Sequence, residues 1–197
     1  MTDLPNRLYK ILSSESFLTM QGLGNDAPIF IQAYNVADED RVASGVKSLA
    51  QRLRNAGIKV AEVDLFRMML GVLRDEGLLD CLIKDELTYD RTDLFDTLKN
   101  HADPQSYLVP RLVREMQSAD VKLTILSGVG HLFPFMRAHT LLDSIQPAMV
   151  RHPVILFFPG EYNQIVGLGS QLHLFGSMQA KGYYRAFNLD HYRLPNI

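Results

Sequence analysis

The stretch "IFIQAYNVADEDRVASGVKSLAQRLRNAGIKVAEV", residues 29–63, decides the fold class of this chain. It begins with IFIQAY, rich in the β-branched and aromatic side chains that suit an extended backbone. The apolar period then changes. Val42, Val46, Leu49 and Leu53 follow at steps of four, three and four, which is one stripe of a helix. Asp38 is placed to cap that helix, and Gly57 is placed to stop it. "IKVAEV" returns to a strand pattern. Strand, amphipathic helix and strand within about 35 residues form a βαβ unit, so the two strands are expected to run parallel.

Working outward, a short helix is expected at the start of the chain, with Asp3 as its cap, Pro5 in its first turn and Leu8, Ile11 and Leu12 on one face. "QGLGNDAP" (21–28) breaks that pattern. Residues 65–120 read as mainly helical: "LFRMMLGVLRDEG" closed by Gly77, "RTDLFDTLKN" with Leu94, Phe95 and Leu98 inward, and a helix from about Pro110 with Leu112, Val113 and Met116 inward. "VKLTILS" is a third strand, "RAHTLLDSIQ" a helix and "PVILFF" a fourth strand. Residues 159–170 read as a polar loop, opened by a turn at Pro159-Gly160. "QLHLFG" and "YYRAFNL" read as a C-terminal β-hairpin joined by "SMQAKG". The strands are short continuous apolar runs, as expected when both faces of a sheet are covered. The expected fold is thus a single α/β domain over 1–197. Its sheet is open and mostly parallel, Rossmann-like or P-loop-like without a Walker A motif, with a helical insertion at about 65–120.

Composition narrows the function. The chain of 197 residues is 47% hydrophobic and 21% charged, which suits a globular core. Its net charge of −2 gives no whole-chain basic field to draw nucleic acid, so direct DNA binding is not expected. Lys47, Arg52, Arg54 and Lys59 form the densest basic region and read as a solvated face. The single cysteine, Cys81, reads as a small buried hydrophobe, and it rules out an internal disulfide or a cysteine zinc cluster. The first residues carry no basic start followed by an apolar run, and no run reaches the roughly 18 residues of a membrane span. A cytoplasmic protein is expected.

Chemistry, if present, belongs at the carboxyl edge of a parallel sheet. The predicted strand ends bring Tyr34 and Asn35, then Asp64, then Ser127 to His131 with Gly128 and Gly130, and finally Pro159 to Asn163 with Gly160, Glu161 and Tyr162 to that edge. Arg137 lies close by in sequence, and an Arg137–carboxylate bridge pinning two loops is one reading of this cluster. A pocket that grips a ligand or a partner's side chain is the other. No complete motif supports a reaction. "SGVGHLF" has Gly128 and Gly130 at dinucleotide-loop spacing, but Phe133 replaces the third glycine, and no Walker-type loop occurs. His131, His139 and His152 lack metal-ligand spacing, and Ser127 lacks a nucleophile elbow. No catalytic residue, metal or cofactor is assigned.

Four stretches taken together carry a resemblance. "EVDLF" (62–66), "GVGHLFPFMRAHTLL" (128–142), "VILFFPGEY" (154–162) and "YYRAFNL" (183–189), in this order, resemble the BrxB family of BREX bacteriophage-exclusion systems. The chain departs from the family's pattern in carrying extra residues within "EYNQIVGLGSQLHLFG". The resemblance implies a part in phage defence, with other BREX proteins as partners, in particular the PglZ-like phosphatase-family protein and the BREX ATPase. It supplies no catalytic residues. The function expected is a non-catalytic assembly or adaptor component. Tyr183, Tyr184 and Phe187 are candidate anchors on a terminal edge strand, though core packing would also account for them. The alternative is a degenerate nucleotide- or metal-binding domain of nuclease or NTPase ancestry, using Asp64, Arg137 and Glu161.

Overall fold

The computed structural model describes residues 4–21, 28–85, 88, 90–101, 104–146, 151–165, 169–176, 178–179 and 186–194. Four strands form the centre of an open parallel sheet: β1 (Ile29–Tyr34), β2 (Val60–Asp64), β3 (Leu123–Ser127) and β4 (Val154–Ile165). Their spatial order is β2-β3-β4-β1, and β7 (Phe187–Asn188) adds a further parallel edge beside β1. β1 and β2 are parallel, as the βαβ pattern predicts, but β4 and β3 lie between them.

Alternation along the strands divides the core into two layers. Phe30, Ile155 and Phe157 face one way. There they meet Leu8, Ile11 and Leu12 of α1 (Leu4–Leu12), Phe17 of α2 (Glu15–Leu18), and Val46, Leu49 and Leu53 of α3 (Glu39–Asn55). Ile29, Ile31, Val154, Leu156 and Phe158 face the other way. They meet Met69 and Val72 of α4 (Leu65–Asp75), Leu112 and Met116 of α7 (Val109–Met116), and Leu141, Leu142 and Ile145 of α8 (Ala138–Ile145). The helical insertion therefore contributes to the core of the sheet, with α5 (Leu79–Asp85) and α6 (Arg91–His101) between α4 and α7. Leu94, Phe95 and Leu98 are half-buried, and the Phe95 ring lies 5.7 Å from that of Phe135.

Several expectations are corrected. Every described residue of the expected polar loop at 159–170 is strand, because β4 runs through Pro159-Gly160 to Ile165 and the next strand begins at Gly169. Pro159 fits there because of where it falls. Val154 N–H bonds toward β1 at Pro28 O, while Pro153 O accepts from Thr124 of β3, so odd-numbered residues face the β3 side. β3 stops pairing at Leu156, and β5 (Gly169–Leu174) starts pairing at Gly160. Pro159 lies between the two partners, where its missing N–H breaks no ladder bond, and its carbonyl accepts from Phe175 N–H.

The C-terminal hairpin is also built differently. "QLHLFG" falls in β5, which pairs antiparallel with β4 and with β6 (Met178–Gln179). Phe187 and Asn188 instead join the main sheet parallel to β1. The reason is burial, since the Phe187 ring packs 5.6 Å from that of Phe30 in the core. Cys81 is exposed rather than buried, because α5 turns that face outward. Asp38 makes no capping bond with its side chain; it pairs with Arg41 at 2.9 Å, while Asn35 accepts from Ala37 N–H one turn earlier. The basic residues Lys47, Arg52, Arg54 and Lys59 are exposed, as expected. Asp3, most of "QGLGNDAP", Tyr183 and Tyr184 lie outside the described residues.

Candidate functional site

The carboxyl edge carries a groove of about 440 Å³ between the exit of β1 and the outer half of β4. Tyr34, Asn35, Gly160, Glu161, Tyr162 and Asn163 all line it, so the predicted ends of β1 and β4 meet there. Sequence reasoning missed Val36, Phe175, Asn188 and Asp190, which line it together with Ala33 and Gly176. Phe175 could not be found from periodicity. It follows β5 at a φ of 55°, in the left-handed region uncommon outside glycine, and only the β4–β5 pairing brings it over this edge.

Each wall has a local cause. The Tyr34 hydroxyl donates to Glu39 Oε2 at 2.7 Å. Burial first, then that hydrogen bond and the Glu39 charge, push the Tyr34 phenol above its ordinary range, so it stays protonated. The other oxygen of Glu39 lies 3.8 Å from His131 Nδ1, which links β1, the first turn of α3 and the turn after β3. Glu39 had a signal in the sequence, as an acid in the first turn of a helix directly after a strand. The Tyr162 ring is buried and its hydroxyl donates to Ala186 O at 2.5 Å, so its backbone rather than its ring borders the groove. Asp190 is held by Arg7 at 2.5 Å and by Gln32 Nε2 at 3.2 Å, which fixes the C-terminal segment to α1 and β1.

The remaining predicted residues have structural tasks outside the groove. Asp64 caps α4, accepting from Arg67 N–H at 3.0 Å. Gly128, at a φ of 73°, packs against it; a Cβ there would lie 2.6 Å from Asp64 Oδ1. A Cβ on Gly130 would lie 2.6 Å from Pro159 Cγ. Both glycines thus serve close packing. Arg137 is exposed at the start of α8 and makes no ion pair among the described residues, so the predicted bridge to Asp64 or Glu161 is not formed. His152 is buried at the opposite edge of the sheet, with Nε2 2.8 Å from Thr124 Oγ1. His139 Nδ1 is a buried atom with no hydrogen-bond partner among the described residues. Among the described residues, no cluster of histidine, cysteine, aspartate or glutamate is arranged to hold a metal.

Comparison with known proteins places the chain in a family. The family model described as "BREX protein BrxB" matches residues 61–189. The chain belongs to the BrxB family. A BREX protein BrxB of Bacillus cereus (strain H3081.97) is 30% identical over 196 residues, covering 96% of this chain and 98% of that relative. A BREX protein BrxB of Escherichia coli O9:H4 (strain HS) is 26% identical over 178 residues, covering 90% and 86%. No solved structure matches. Membership of the BrxB family makes the chain a BREX component and ties it to phage defence, without naming a reaction. The groove straddles the BrxB match: Gly160–Asn163 fall within it, whereas Tyr34, Asn35 and Asp190 fall outside.

Proposed function

We propose that the protein acts as a non-catalytic assembly component of a BREX defence complex, using the groove at the carboxyl edge to hold a partner. The carrying observation is the lining itself: polar groups mixed with Val36 and Phe175, two large apolar side chains left 45% and 37% exposed. Exposed apolar groups beside hydrogen-bonding groups suit a protein interface. The tasks of the candidate acids support the same reading. Asp64 is spent on a helix cap and Glu39 on Tyr34. Within the family context, a PglZ-like phosphatase-family protein and the BREX ATPase are the partners to expect.

A tagged pull-down from a host carrying the intact gene neighbourhood tests this. Recovery of either partner in fixed proportion is expected. Recovery of this chain alone, under gentle salt, would overturn the assembly role and bring forward a nucleotide- or metal-binding domain acting through Asp64, Arg137 and Glu161. That second possibility predicts a melting temperature that rises with millimolar nucleotide and magnesium.

A further inference from the structure

We infer that the groove receives a basic side chain, arginine above all, presented by an extended segment of a partner protein. This deepens the assembly reading and rests on it. The described lining holds two carboxylates, Glu161 and Asp190, and no lysine, arginine or histidine. Their situations differ. Asp190 already has its counter-charge in Arg7. Glu161 is exposed and makes no ion pair among the described residues; the half-buried His173 faces it in register across β5 without coming within ion-pair distance. Among the described residues, the uncompensated charge of the groove is therefore that of Glu161. A phosphate-bearing ligand would meet this charge, and among the described residues the cation that pairs with a groove carboxylate, Arg7, is already held by Asp190.

The other walls suit a guanidinium better than an ammonium. Tyr34 and Phe175 supply aromatic rings and Asn163 an amide, while the side-chain oxygens of Asn35 and Asn188, which already accept from Ala37 and Asp190 N–H, each keep a second lone pair. A guanidinium can stack on a ring while its donors reach a carboxylate and neighbouring amides; an ammonium is a point charge that prefers its water. The exposed Val36 and Phe175 favour a ligand with a body to cover them, which a peptide has and a free small cation lacks.

The test uses the isolated full chain and two acetylated octapeptides, one alternating arginine and serine, the other glutamate and serine. Fluorescence anisotropy at two salt concentrations should show binding of the arginine peptide alone, weakened by salt. Glu161→Gln and Phe175→Ala should each weaken it by about 3- to 10-fold. Asp143→Asn, on the exposed face of α8, should leave it unchanged. No binding, equal binding by the wild type and the two groove variants, or equal binding of the glutamate peptide would overturn the inference. The same variants in the pull-down separate the two ideas. Partners retained undiminished by Glu161→Gln would sink the arginine preference and leave the assembly reading standing. Arginine-peptide binding with no partner recovered would do the reverse.

Discussion

Gly160 stands where β4 parts from β1 and takes up β5. A Cβ at this position would lie 2.1 Å from the His173 carbonyl oxygen, and the backbone sits at a φ of 149°. Gly160→Ala must push the two strands apart, at a cost of about 2–4 kcal/mol. The urea midpoint should fall with the m-value unchanged; a wild-type midpoint would show that the strands separate freely. His152 sets a second test at this scale. Burial first, and the Lys122 charge second, hold its pKa below the usual value of about 6.5. The unfolded chain then binds more protons between the two values, so stability rises with pH in that window and is lost as pH falls through it. His152→Gln, which keeps a group able to bond Thr124, should flatten the decline in stability as pH falls below about 6.5. An unchanged decline, followed by denaturant titrations at several pH values, would move the acid sensitivity elsewhere. Single residues were the least legible in sequence. Gly128 and Gly130 have phosphate-loop spacing, yet a neighbour's side chain demands glycine as strictly as a phosphate does.

Among the elements, α4 shows how a candidate site residue can be separated from a structural one. Asp64 accepts from Arg67 N–H, and its ion pair with Arg67 is long and solvated at 3.5 Å. Asp64→Ala should cost about 1 kcal/mol through the lost cap, while Asp64→Asn, which keeps the acceptor, should cost little. Both should still capture partners in the pull-down. Capture lost in Asp64→Asn at unchanged stability would assign the carboxylate charge a functional part. The helices were readable because their signals are local: the stripe of α3, Gly57 and Gly77 at φ of 83° and 71°, and Pro110 in the first turn of α7. β4 was readable as far as Phe158. Pro159-Gly160 ordinarily ends a strand, and here it marks an exchange of neighbours, which nothing within the segment itself records.

For the molecule as a whole, the C-terminal segment is tied to the first helix. Arg7 reaches Leu189 O, Asp190 O and the Asp190 carboxylate, and Gln32 bridges the same carboxylate to β1. Arg7→Ala should cost about 1 kcal/mol, since the pair is partly solvated. Hydrogen exchange should speed up at 186–194 with the central strands protected as before. Uniform loss of protection would mean that this tie supports the whole fold, and no change would mean that the Phe187 packing holds the segment alone. The sequence by itself determined the class, the parallel sense of the sheet, its two-sided burial and which strand ends face the carboxyl edge. Those follow from periods and breaks within ten or twenty residues, and its four family-like stretches pointed to the BrxB family. Tertiary structure decided that β4 and β3 separate β1 from β2, that the half-buried Phe187 packs against the core, and that Phe175 and Asp190 meet Tyr34 across one groove. The physical reason is that strand neighbours and groove walls are chosen by packing between residues far apart in the chain, and one segment's pattern fits several neighbours equally well.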